Sequence, residues 1–198
     1  MPPVTAEFLD LRLRDLLDRV AAPEPAPGGG SVLAVTTAMA AGVLSMAARA
    51  SLGEWNEAAG VAAQAETLRS RAEPLAQLDA DVYERALATR NEVSDPDPAK
   101  RNWEIGKAFA EAAEPPLRIA RVATDVAELA ADVAARADQR LRPDALAAAA
   151  LASAAARAAA ELVAVNLTAT EGDPRVEESR RLAAAAERAA AKAFQSPR

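Results

Sequence analysis

A chain of 198 residues is long enough for one domain with a sizeable core, expected to span positions 1–198. Hydrophobic residues make up 51% of it, aromatics 3%, and the formal net charge is −6, a balance that argues against a basic footprint for nucleic acid. Neither histidine nor cysteine is present, which excludes Ser-His-Asp chemistry, thiolate nucleophiles, disulfides and metal sites built from those residues.

Acid–base work therefore falls to carboxylates, the lone Tyr83, and Lys100, Lys107 and Lys192. Alanine carries the apolar share, in runs such as Ala147 to Ala150 and Ala183 to Ala186. Alanine is the strongest helix former, whereas strands prefer β-branched and aromatic residues, so the expected class is all-α, a single-domain multi-helix bundle. Alanine also buries little area, so stability must come from close helix approach or from a partner subunit. Met1 to Leu17 carries acids early and lacks the basic-then-apolar pattern of a secretory signal, which makes a cytoplasmic protein the expectation.

In chain order, Leu9, Leu13, Leu16, Leu17 and Val20 recur at helical spacing and predict an amphipathic helix. The alternate prolines Pro23, Pro25 and Pro27 enforce an extended approach to Gly28-Gly29-Gly30-Ser31, where the serine is a candidate N-cap. From Ser31 to Ala48 no charged residue occurs. Such a run is either a short membrane span or the central apolar helix of a bundle, buried on every side. Ser31, Thr36, Thr37 and Ser45 dilute it and no second span accompanies it, which favours the bundle and no membrane partner. On that reading Ala38, Gly42 and Met46 admit neighbouring helices closely.

Beyond a turn at Ser51-Leu52-Gly53, a helix is expected from about Asn56 to Arg90, kinked or divided by Pro74. Ser94 to Pro98 is a break. Another helix should run from about Ala99 to Asp138, interrupted at Pro115-Pro116, and a third from Arg142-Pro143-Asp144 to about Thr170. Gly172-Asp173-Pro174 stops that helix, and a polar, alanine-rich helix closes the chain.

Asp79 is the most informative acid. At 100° per residue it falls among Leu68, Leu75, Val82 and Ala86, while Asp81 points nearly the opposite way. A carboxylate on an apolar face must be paired, hydrogen-bonded or protonated, so Asp79 is either a structural acid tied to an arginine or a helix terminus, or a functional one. Asp144 has a structural reading as a dipole partner at a helix start, and a functional one as a second acid. Asn166 lies near the far end of the same helix, roughly 30 Å away at 1.5 Å per residue, so one chain cannot bring both to one small site. The Gly28 to Ser31 segment is a turn into a capped helix, or a set of bare amides suited to an anionic group.

Pro25-Ala26-Pro27-Gly28-Gly29-Gly30-Ser31 before a small-residue helix resembles the cyclodeaminase/cyclohydrolase family of folate enzymes. That family includes the cyclodeaminase part of formiminotransferase-cyclodeaminase and bacterial methenyltetrahydrofolate cyclohydrolases. Three further stretches are similar in the same order: Asp79-Ala80-Asp81-Val82-Tyr83, Glu114-Pro115-Pro116-Leu117, and Pro143-Asp144-Ala145-Leu146-Ala147 followed by Val165-Asn166-Leu167.

The resemblance implies a helical homodimer with a folate site where subunits meet, no tightly bound cofactor, and a tetrahydrofolate derivative as substrate. The implied activity is hydrolysis of 5,10-methenyltetrahydrofolate to 10-formyltetrahydrofolate, or loss of ammonia from 5-formiminotetrahydrofolate. It casts Asp79 and Asp144 as catalytic acids, and Pro27, Gly28, Gly29, Gly30, Ser31, Tyr83 and Asn166 as substrate contacts. The chain departs from the family pattern where Leu-Pro-Lys is usual. It reads Asn91-Glu92-Val93-Ser94 there, with Arg90 alongside, and it carries Pro143 before Asp144 where the family has serine, and Ala137-Asp138 for Gly-Asn. A non-catalytic helical dimer that binds folate or another small anion, and a purely structural self-associating protein, are the alternatives.

Overall fold

The computed structural model describes residues 7–168 and 172–195. Among these no strand occurs, in keeping with an alanine-rich, aromatic-poor chain. A short 3-10 turn at Phe8–Asp10 precedes α1 (Leu13–Ala21), α2 (Gly29–Ala50), α3 (Ala58–Ala72), α4 (Leu75–Glu92), α5 (Pro98–Ala112), α6 (Glu114–Arg136), α7 (Arg142–Asn166) and α8 (Pro174–Gln195).

Local chemistry sets most boundaries. Pro74 divides the long predicted helix into α3 and α4 rather than merely kinking it. Asp97 caps α5, accepting a hydrogen bond from the Ala99 N–H at 2.9 Å, with Pro98 at the first helical position. The Pro115-Pro116 pair stands in the first turn of α6, where the missing N–H groups have no helical partner to lose. Gly53, at φ 91°, takes the left-handed turn between α2 and α3. α7 stops at Asn166, short of the expected end; Thr170 lies outside the described residues.

The packing centre is the α6–α7 pair, flanked by α2 and α8. Ala148, Ala149, Ala152, Ala155, Ala156 and Ala159 are at most 1% exposed, and Val122, Val126, Leu129 and Val133 of α6 supply the larger side chains of the core. Methyl-sized side chains let helix axes approach closely, so backbone and Cβ contacts replace the bulky side chains the sequence lacks.

Contrary to the expectation from its lack of charge, α2 is not buried on every side. Only 11 of the 22 residues of α2 are buried, against 15 of 23 in α6. Val32, Met39 and Met46, seven residues apart, are 37%, 52% and 45% exposed, so Met46 does not serve helix approach inside the bundle, although Ala38 is buried. Absence of charge shows that a face can be covered, not that this chain covers it. α7 is also long and apolar enough to cross a membrane, so α2 is not unique in this; both have about half of their apolar stretch buried inside the bundle. α1 buries no residue: Leu13 and Leu17 are each 60% exposed, and Leu9 belongs to the preceding 3-10 turn.

Because the α6–α7 contact is built from alanine, enlargement should cost more than surface change. Ala156→Leu is expected to lower unfolding free energy by about 1–3 kcal/mol through overpacking, read by urea denaturation.

Candidate active site

Four segments converge on one cavity of about 230 Å³: the N-terminus of α2, the middle of α4, the first turn of α6 and the last turn of α7. Gly28, Gly29, Gly30, Asp79, Tyr83 and Asn166 line it together with Pro25, Ala26, Ala80, Pro116, Leu162 and Val165. Six of the nine residues singled out in the sequence are thus brought together by long-range packing.

Asp79 sits half-buried on α4 with its carboxyl against the start of α2. It accepts a hydrogen bond from the backbone N–H of Ser31. A Cβ on Gly30 would overlap that carboxyl, so any larger residue there would displace the acid from its place. No arginine pairs with Asp79 among the described residues. Of the two structural ties that the sequence left open, the helix terminus is therefore the one realised, and the carboxyl still opens onto the cavity. Burial pushes its pKa up to about 6, and the Ser31 N–H pulls in the opposite direction. A carboxyl poised near neutrality can act as acid or base where histidine is absent.

Ser31 plays a different part from the one expected. Gly28 is the N-cap of α2, without a side-chain capping bond, and Ser31 lies in the first turn. Its Oγ donates to the Ala76 carbonyl at 2.7 Å in a buried contact, tying α2 to α4 one turn before Asp79. Pro27 and Ser31 do not line the cavity of the acid. They line a separate apolar groove beneath α1, because successive helical positions rotate by about 100° and Ser31 faces away from Gly29 and Gly30. One of the α2 amides is not bare: Ser31 N–H is engaged by Asp79, which sets a carboxyl against this helix start.

Tyr83, one turn along α4, meets Phe109 of α5 edge-on, with ring centroids 6.4 Å apart and planes at 82°. Asn166 donates from Nδ2 to the carbonyl of Ala112, the last residue of α5, at 3.0 Å. Asp144 is not part of this arrangement. It occupies the first turn of α7, some 33 Å from Asn166 along the helix axis, where it faces the positive end of the dipole. The sequence did not single out Leu162, Pro116 or Phe109 as part of the site. The signal for Leu162 was its place one turn before Asn166 on the same helical face. Among the described residues no three acidic side chains converge as a metal site needs.

Comparison with known proteins places this geometry. A family described as formiminotransferase-cyclodeaminase matches residues 12–191. Among solved structures, the chain is similar to a formiminotetrahydrofolate cyclodeaminase from Thermotoga maritima, with 26% identity and a TM-score of 0.85 over 96% of this chain and 97% of that one. No curated protein matches the chain.

The raised pKa of Asp79 fixes the sign of a stability effect. The unfolded carboxyl titrates near about 3.9, so the folded state binds the proton more tightly, and stability falls as pH rises from about 4 to about 6. Asp79→Asn is expected to remove this fall and to raise Tm at pH 8 relative to the parent. Melts across that range check it, and a variant less stable at pH 8 would show that the ionised acid is a net stabiliser of α2.

Proposed function

The chain belongs to the formiminotransferase-cyclodeaminase family of folate-related proteins, and from that premise we propose that it is a one-carbon enzyme acting on a reduced folate, with Asp79 as its acid–base group. The observation that carries this reading is one carboxyl, raised to about 6, facing a cavity from the N-terminus of a helix.

The folate one-carbon unit is an amidinium-like cation at the reacting carbon, already electrophilic, so no nucleophilic side chain is required. Asp79 faces that cation, stabilises its charge and lowers its own proton affinity in doing so. In the hydrolytic direction, Asp79 orients a water and accepts its proton as the carbon–oxygen bond forms on 5,10-methenyltetrahydrofolate. In the deaminating direction, folate N10 is the nucleophile on 5-formiminotetrahydrofolate, and Asp79 carries its proton to the departing nitrogen. Both directions pass through a carbon held between two folate nitrogens and one exchangeable group. Tyr83 and Leu162 provide flat and apolar surface for the ring system.

The cavity is smaller than the roughly 300–1,000 Å³ of sites that enclose a drug-sized ligand, so a single chain covers only part of a folate. A homodimer supplies the rest. Its support is the apolar surface left open by Leu13, Leu17 and Val20 of α1 with Val32 and Met39 of α2, which together frame a groove of about 210 Å³. An antiparallel partner would also be the route by which a second acid, Asp144 of the partner subunit, reaches this cavity.

A catalytically silent folate-binding dimer is the second reading, favoured by one observation. Asn91 to Ser94 stand where the family pattern has a lysine, and none of them lines the cavity. Turnover separates the two. Active protein should lose about 100- to 10,000-fold in kcat on Asp79→Asn, with a parental pH–rate limb rising near 6. Folate binding without turnover in the parent would support the silent reading instead. Sedimentation at micromolar concentration should give a dimer, and the double substitution of Leu17→Asp with Met39→Glu should give monomers.

A further inference from the structure

The end of α5 is held by donors from outside it. An α-helix leaves its last four carbonyls without partners of its own, and proline supplies no N–H to the turn before it. Both shortages fall on α5. Pro115 and Pro116 open α6 where the N–H groups for the carbonyls of Glu111 and Ala112 would stand. Two side chains from later in the sequence supply donors there. Asn166 Nδ2 donates to the Ala112 carbonyl at 3.0 Å, and Arg175 Nη1 donates to the Ala110 carbonyl at 2.7 Å. The Arg175 guanidinium is itself fixed, since its Nε and Nη2 donate to the Asp173 carboxylate at 3.0 and 2.7 Å. These two side chains are 27% and 10% exposed, so water screens the pair less than it does a surface ion pair.

Among its described residues α5 buries only Ala112. Its last turn nevertheless carries Phe109, whose ring meets edge-on the Tyr83 ring that lines the cavity. The α4 backbone at Tyr83 is anchored separately, by the buried Ala80 and Ala86 on either side of it. What α5 adds is therefore the setting of the tyrosine ring rather than of its helix. We propose that Arg175 is a positioning residue for the cavity: it does not line it, but it holds the last turn of α5 so that Phe109 keeps the Tyr83 ring in the wall. Arginine suits this task because its planar fork serves Asp173 along one edge and keeps a further donor for the Ala110 carbonyl. A lysine ammonium cannot do both in a fixed geometry. The placement of the ring does not depend on what enters the cavity. Its consequence for affinity rests on the folate reading above, in which Tyr83 gives flat surface to the ring system.

Tyr83 is the only tyrosine, so labelling with meta-fluorotyrosine gives a single fluorine resonance that reports this ring. Arg175→Met, which keeps the apolar stem and loses every donor, should shift that resonance. Calorimetry should then show 5-formyltetrahydrofolate binding about three- to tenfold more weakly. Phe109→Leu should do the same, and adding Arg175→Met to it should weaken binding no further, because both act on one contact. Arg157→Met removes a surface ion pair between α7 and α8, to Glu187, and should leave resonance and binding at their parental values. Arg175→Lys gives the same shift as the methionine variant if the latter does not fold. An unmoved resonance, or losses from the two substitutions that add in full, overturns the assignment of Arg175 and leaves the folate reading standing. A parent chain that neither binds 5-formyltetrahydrofolate nor turns over a reduced folate sinks that reading. The fluorine resonance then still decides whether Arg175 sets the Tyr83 ring.

Discussion

Everything that makes this bundle more than a scaffold depends on a carboxyl held against the first turn of a helix. Asp79 is brought there by two features of α2 that have no meaning for α2 alone. The missing Cβ at Gly30 leaves the volume that the carboxyl fills, and Ser31 contributes an N–H to the acid and a hydroxyl to the α4 backbone. The helix terminus offers the acid partial positive charge, while burial withholds water from it. These influences oppose one another, and burial wins, so the acid is neither an ordinary surface carboxylate nor a locked structural ion pair.

The alanine core explains how four distant segments meet with enough accuracy to build such a site. α6 and α7 approach through buried alanines, and their opposite ends bring Pro116 and Asn166 to the same cavity. Small residues leave few rotamers to choose from, so the geometry is set by helix axes rather than by side-chain adjustment. The arrangement has a cost: little apolar area is buried per residue, and one long stripe of α2 together with Leu13, Leu17 and Val20 of α1 stays exposed. The proposed homodimer would cover both the open cavity and this exposed apolar face.

Much of this was legible in the chain itself. Helix class followed from alanine content, and breaks at Pro74, Pro98 and Pro115 followed from the lost N–H and fixed φ of proline, since these act within a few residues. Asp79 stood out because 100° periodicity places it on an apolar face, and that too is local. Reading the uncharged helix as buried all round failed because composition reports what a face tolerates and not which neighbour covers it. Ser31 as a cap failed for a related reason: which position of a Gly-rich segment starts the helix depends on what packs against it.

By itself, then, the sequence determined the helices, their interruptions and the anomalous acid, because hydrogen-bonding capacity, φ restriction and helical period are properties of neighbouring residues. Tertiary structure alone decided that Asp79 meets Gly30 and Ser31, and that Asn166, bonded to the Ala112 carbonyl, lines the same cavity. Those outcomes rest on contacts between residues as many as 54 positions apart. Such contacts arise from the way alanine-lined helices slide and cross until their surfaces interlock.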